Sequence, residues 1–201
     1  MMLKVGITGG MGSGKSTVCN IFSLLGIPIF YADDEAKKLY DTNKDLKSSI
    51  IKHFGTSVYP HGVFDRKIMK SIIFNDPQKL TLLNELVHPK VKEATEEWIQ
   101  MQQAPYIIKE AALLIESDSY KQMNEIIFVD SPIELRMKRI MQRDELDENQ
   151  IKQILDAQMS INEKKQYATQ TIINDEKHLL IPQVLSLHHL FLSKSAELNT
   201  L

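Results

Sequence analysis

The apolar positions change period several times along the chain, and each change predicts an element. Leu3, Val5 and Ile7 alternate with Lys4 and Gly6, the two-residue period of a strand. Val18, Ile21, Phe22, Leu24 and Leu25 then recur at three and four, the spacing of a helix with Gly26 as its cap. Ile27-Pro28-Ile29-Phe30 reads as a second buried strand, with Pro28 at its start or on an edge. Ala36, Leu39 and Tyr40 restore the helical period. Residues 42–103 contain no convincing strand. Ile50, Ile51 and Phe54 end a short helix before Gly55. Asp65 is the N-cap of a helix carrying Ile68, Met69, Ile72 and Ile73. Asp76-Pro77 starts another, with Leu80, Leu83 and Val87 on one face. Pro89 is expected to break or restart it before Val91, Ala94 and Trp98.

Strands return in the second half. Tyr106-Ile107-Ile108 is the third, Ile126-Ile127-Phe128-Val129 the fourth and Thr171-Ile172-Ile173 the last. Ser131-Pro132-Ile133-Glu134 reads as a capping box with proline at N1. Residues 144–147 form a polar break, and Asp147 with Gln150 starts a further helix. A final helix covers 179–191, starting near Pro182, and residues 193–201 are expected to fray. Strands alternating with helices predict an α/β fold with a parallel sheet. The long helical run at 42–103 exceeds a simple crossover and reads as an insertion.

The chemistry gathers at Gly9-Gly10-Met11-Gly12-Ser13-Gly14-Lys15-Ser16-Thr17. Gly9, Gly14, Lys15 and Ser16 satisfy G-x-x-x-x-G-K-[ST] in the required strand–loop–helix setting. Glycines let a backbone wrap phosphates with its N–H groups inward. Lys15 supplies a point charge for the β- and γ-phosphates, and the Ser16 hydroxyl can ligate magnesium. Asp33 stands at the end of the second strand, on the sheet edge that carries the glycine loop. It reads equally as an acceptor-site carboxylate and as a helix cap. Glu110, ending the third strand, is the candidate magnesium carboxylate. Asp130, ending the fourth, fits the same pattern, and pattern alone does not choose between them. Arg136, Arg139 and Arg143 share a helix face at i, i+3 and i+7. They suit a closing lid over a transferring phosphoryl group, or a solvated basic face.

Composition narrows the classes. The chain has 201 residues with 43% hydrophobic content, enough for one α/β domain with an insertion. Lys+Arg 24 against Asp+Glu 26 gives no basic bias toward nucleic acid. Cys19 is the only cysteine, which excludes an internal disulfide and suits a reducing cytoplasm. No apolar run approaches the ~20 residues of a membrane span. The first strand starts almost at the N-terminus, so no signal peptide is expected. No obligate protein partner is evident. A guanine-reading Asn-Lys-x-Asp is expected of a nucleotide switch, and Asn43-Lys44-Asp45-Leu46 fails its fourth position.

Together these segments resemble the dephospho-coenzyme A kinase family over roughly residues 3–190. Residues 5–17 look like its phosphate loop, and Ala32-Asp33 like the end of its Asp-Ala-Asp motif. Phe64-Asp65-Arg66 resembles its Leu-Asp-Arg, and residues 74–77 with His88-Pro89 its acceptor signature. Residues 110–116, the lid pattern of Arg139, Arg143-Asp144 and Gln158, and Ile173-Asn174 match further family segments. Tyr31, Ala112 and Thr169 depart from it, at positions where aspartate, proline and aspartate are usual, and Glu110 replaces a shorter acid. The resemblance implies a P-loop NTPase three-layer fold with a five-stranded parallel sheet, a helical acceptor-binding insertion and a helical lid. The core is then 1–41, 104–135 and 160–201, the insertion 42–103 and the lid 136–159. It implies a cytoplasmic ATP- and magnesium-dependent kinase of the ribose 3′-hydroxyl of dephospho-CoA. Catalytic roles fall on Asp33, Lys15, Arg139 and Arg143. ATP contacts fall on Gly10, Met11, Gly12, Ser13, Gly14, Lys15, Ser16, Thr17 and Asn174. Acceptor contacts fall on Thr8, Asp33, Arg66, His88, Pro89, Leu113 and Leu114, and magnesium contacts on Ser16 and Glu110. Another nucleoside or nucleotide kinase is the alternative, differing in the acceptor.

Overall fold

A computed structural model describes residues 2–74, 76–144, 147–156 and 158–199. Asn75 of the acceptor signature, Glu145 and Leu146 of the polar break, and Thr200 and Leu201 of the tail lie outside those residues. The chain divides into two compact units, Met1–Tyr31 with Met101–Leu201, and Ala32–Gln100.

The first unit is built on five parallel strands. They are β1 (Leu3–Thr8), β2 (Ile29–Tyr31), β3 (Tyr106–Glu110), β4 (Glu125–Asp130) and β5 (Gln170–Ile173), in the order β2-β3-β1-β4-β5. Alternate residues of the central strands, among them Val5, Ile7, Ile108, Ile127 and Val129, enter one buried cluster. Val18, Cys19 and Phe22 of α1 (Lys15–Leu24) and Val184, Leu187 and Phe191 of α9 (Leu180–Leu198) cover that face. Each such side chain contributes roughly 1.5–3 kcal/mol on burial. α1 ends as its spacing predicts. The Ile27 N–H bonds the Phe22 carbonyl and the Gly26 N–H the Ser23 carbonyl, a Schellman closure. On the opposite face Leu114 fills the space left by Gly6. There too α8 (Ile161–Lys165) brings Lys165 over the Phe128 ring. The first unit also holds α6 (Ile133–Asp144) and α7 (Glu148–Asp156). Asp147 and Gln150 cap α7 reciprocally, at 2.8 and 3.1 Å.

The second unit contains helices and no strand among its described residues. It comprises α2 (Ala32–Thr42), α3 (Lys44–Phe54), two short 3-10 turns, α4 (Arg66–Ile73) and α5 (Pro77–Gln100). Asn43, Asp65 and Asp76 each accept backbone N–H bonds at a helix start. Leu46, Ile50, Phe54, Val58, Met69, Leu83 and Val87 are buried. The unit starts at Ala32, ahead of the insertion boundary expected at 42, because α2 packs against α5 and α3.

Two expectations from the sequence are corrected. Pro89 does not break the helix; α5 runs through it. An interior proline costs about 3 kcal/mol. The burial of Leu83, Val87 and Val91 on either side outweighs this at roughly 1.5–3 kcal/mol each. The segment from 193 does not fray at once either, since α9 continues to Leu198. Ser195 is buried and donates to the Pro105 carbonyl, and Lys194 pairs with Glu125. Glu125 also accepts from Thr169 at 2.5 Å. We therefore expect deletion of residues 194–201 to lower Tm by ~5 °C, since it leaves a buried carbonyl unpaired. Calorimetry checks this, and an unchanged Tm would return the segment to a frayed tail.

Candidate active site

β1 ends at Thr8, and the chain turns at once into the glycine loop. Gly12 and Gly14 adopt φ +77° and +91°, the left-handed region that costs a side chain dearly. Gly14 is also the N-cap of α1, with no side-chain hydrogen bond on the first turn. The first N–H groups of α1 are thus not capped by a side chain, and the positive end of the helix dipole lies with them. That is an anion site. Lys15 is nearly buried and folds back over the loop, with Nζ 3.3 Å from the Gly9 carbonyl and 3.5 Å from that of Gly10. Ser16 and Thr17 are exposed on the first turn. Ser13 Oγ is buried, and among the described residues it is the one buried side-chain polar atom with no hydrogen-bond partner. An uncapped helix start beside an orphaned hydroxyl fits a phosphate group.

The sheet register sets the acids beside this loop. Ile7, Glu110 and Tyr31 form one row across β1, β3 and β2. Glu110 is buried, and its carboxylate lies 4.0 Å from Lys15 Nζ. Asp130, the other strand-end acid, is held by Lys165 at 2.7 Å. Tyr31, where an aspartate was expected, donates its hydroxyl to Asn20 of α1 at 3.3 Å. Asp33 follows two residues later, exposed in the first turn of α2. There it sits inside the helix rather than at its cap.

The basic stripe on α6 separates into three environments. Arg136 is 5% exposed and donates Nε–H to the Met11 carbonyl at 3.0 Å. Burial lowers its pKa, and Asp130 opposes that shift. Arg139 is partly exposed. It reaches Ser131 Oγ at 3.2 Å, Glu176 at 3.1 Å and, more distantly, the Gly12 carbonyl and Asn174 at 3.5 Å. α6 opens at Ile133, with the Arg136 N–H on the Pro132 carbonyl, and the Ser131 hydroxyl accepts from Arg139. Arg143 lies on the exposed side of the same helix. Asn174 donates to the Ser13 carbonyl at 2.7 Å. A cavity of about 440 Å³ beside it is lined by Ile21, Glu176, Leu179, Leu180 and Ile181.

The residues expected at the acceptor divide between the two units. Thr8 is buried, its hydroxyl 3.5 Å from the Ala112 carbonyl. Lys164 also donates to that carbonyl, at 2.9 Å, and pairs with Glu116 at 2.8 Å. Leu114 is fully buried against Gly6, so of the two leucines only Leu113 keeps some surface. In the second unit Asp33 and Arg66 line one cleft of about 290 Å³ with Tyr40, Phe64, Met69 and Leu83. Tyr40 and Phe64 stack there, ring centroids 4.1 Å apart. His88 is half-buried and Pro89 exposed, on α5. Sequence reasoning placed Arg136 in a stripe and did not single it out, nor did it single out Lys164. The hint for Arg136 was its spacing, seven residues before Arg143, on a helix that follows the fourth strand.

The profile of the dephospho-CoA kinase family matches residues 3–179. This chain belongs to that family. A dephospho-CoA kinase from Bacteroides fragilis is 36% identical over 188 residues, 93% of this chain and 92% of that protein. The solved dephospho-CoA kinase from Campylobacter jejuni aligns with TM-score 0.66 at 28% identity, covering 94% of this chain and 96% of that one. A shikimate kinase from Acinetobacter baumannii shares the fold, with TM-score 0.53 at 17% identity and coverage of 96% and 95%. The family thus carries the P-loop kinase fold, as the sequence resemblance implied.

Cys19 offers a chemical probe of the site. It is fully buried on α1. Burial, and secondarily the Glu110 carboxylate, push its thiol far above the ordinary range, with Lys15 opposing. The thiolate is the reactive form. Alkylation at pH 8 should therefore run roughly a hundredfold slower in the folded chain than in guanidinium chloride. Equal rates, followed by mass spectrometry, would show that this thiol is not shielded.

Proposed function

We propose that this chain transfers the γ-phosphoryl group of ATP to the ribose 3′-hydroxyl of dephospho-CoA, giving CoA and ADP in the last step of coenzyme A biosynthesis. The observation that carries this reading is the uncapped α1 start with Gly12, Gly14 and Lys15, in a chain whose family match spans residues 3–179. Loop amides and Lys15 hold the β- and γ-phosphates, with Gly10, Met11, Ser13 and Thr17 completing the loop. The adenine takes the cavity beside Asn174. Ser16 and Glu110 are hard oxygen donors that suit magnesium. Among the described residues no group of three or more His, Cys, Asp or Glu could hold a metal alone. The nucleotide's own phosphates and water would complete the ion's shell. When bound, that ion neutralises charge on the transferring group.

Asp33 orients the acceptor hydroxyl and accepts its proton as the new bond forms. Arg66 meets the diphosphate of the acceptor, in the cleft that the Tyr40–Phe64 stack helps to wall. His88, Pro89 and Leu113 complete the acceptor contacts, while buried Thr8 supports the Ala112 carbonyl instead. Residues 136–159 act as the lid, with Arg139 and Arg143 supplying its charge. Residues 42–103 serve the acceptor and the remainder is the ATP-binding core. No helix of the described residues is long and apolar enough to cross a membrane, and we place the enzyme in the cytoplasm.

The acceptor is tested with labelled ATP and a panel of dephospho-CoA, adenosine, AMP, CMP, dTMP and shikimate. Dephospho-CoA should have by far the highest kcat/KM, with the new phosphate at the ribose 3′ position by phosphorus NMR. A free nucleoside or nucleotide that wins the panel would defeat the acceptor assignment and leave a P-loop kinase. Lys15→Ala should cut turnover by orders of magnitude.

Asp33→Asn retains the side-chain shape and removes the proton acceptor. Its kcat should fall about 10²- to 10⁴-fold. Tm should move by no more than ~2 °C, since Asp33 gives only a first-turn charge contribution. Early melting with full activity per folded molecule would make the residue structural.

A further inference from the structure

Three consecutive carbonyls of the loop, those of Met11, Gly12 and Ser13, accept from side chains far away in sequence. Arg136 Nε holds the first at 3.0 Å and Asn174 Nδ2 the third at 2.7 Å. Arg139 Nη1 touches the second more weakly, at 3.5 Å. A trans peptide points its N–H opposite to its C=O. Fixing the Met11 carbonyl therefore turns the Gly12 N–H the other way, and fixing the Ser13 carbonyl does the same for Gly14. The Ser13 N–H between them closes a turn on the Gly10 carbonyl at 3.1 Å.

Arg136 packs closely against the loop. A Cβ added at Gly10 would lie 2.4 Å from its guanidinium, and one added at Gly12 would lie 2.7 Å from its backbone carbonyl. Both glycines are therefore fitted to this arginine. Of its polar atoms, Nε is the one that bonds the loop.

We propose that Arg136 is a positioning residue for the phosphate loop, acting through the Met11 carbonyl to hold the Gly12 amide toward the phosphates. The inference rests on the reading that this loop binds ATP. The role is that of a donor at one place on the side chain, not of a free charge. Glutamine carries its amide nitrogen at the same distance along the side chain as arginine's Nε. Lysine keeps the charge but has a methylene there. The two substitutions thus separate donor from charge. Removing the arginine charge still leaves Asp130 paired with Lys165.

The test compares ADP binding, kinetics and Tm for Arg136→Gln, Arg136→Lys and Arg136→Met, with binding measured at 10 °C on folded protein. Loss of the donor should weaken ADP binding and raise the KM for ATP about tenfold or more in the Met and Lys variants. The Gln variant should recover most of that loss, to within about fivefold of the unchanged chain. Full recovery by Lys and none by Gln would overturn the inference in favour of a direct charge on phosphate. Equal affinity in all variants, or an equal loss in all three, would overturn it too. Lys15→Ala serves as the separate control. If that variant binds ADP normally, the loop is not the nucleotide site and the reading beneath the inference fails instead.

Discussion

β1 is hydrogen-bonded on both sides, to β3 over Leu3–Ile7 and to β4 over Val5–Thr8, and its end opens directly into the glycine loop. Parallel strands cannot be joined by tight turns, so every neighbour of β1 arrives by a crossover. The carboxyl ends of the strands therefore collect at one edge. Tyr31, Glu110 and the loop reach that edge through the ladder. A one-residue slip of β3 would turn Glu110 to the other face of the sheet. The 4.0 Å approach of Glu110 to Lys15 depends on that register.

The two strand-end acids show how environment separates groups that look alike in sequence. Asp130 has its cation in Lys165, delivered by α8. Glu110 faces Lys15, which also lies over two loop carbonyls. Periodicity could not make this distinction, because the partners come from segments 35 and 95 residues away (165 minus 130, and 110 minus 15). Side chains joined across such separations leave no local signature. The same reason hid Arg136 and Asn174 as holders of loop carbonyls.

What was legible in the sequence was local. Alternation marked β1, and Asp- and Gly-based signals marked ends of α1, α3, α4 and α5. The glycine–lysine spacing marked the loop, and the order of segments identified the family. Pro89 and the end of α9 were misread because local propensity yielded to burial, of Val87 and Val91 in one case and Ser195 in the other. The basic stripe on α6 was read as one face with one fate. Arg136 is buried against the Met11 carbonyl while Arg143 stays at the surface.

The chain leaves the sheet at Tyr31 and returns to it at Tyr106, and the two strands at those points, β2 and β3, are direct neighbours. The whole Ala32–Gln100 unit is thus a detour between adjacent rungs of the ladder, and the ladder places no demand on what the detour contains. Insertions, deletions and wholesale replacement at 32–100 can accumulate without altering the register that sets Glu110 beside Lys15. In evolutionary terms this is a seam, where one segment can be exchanged for another of different length while the strand ladder is inherited intact.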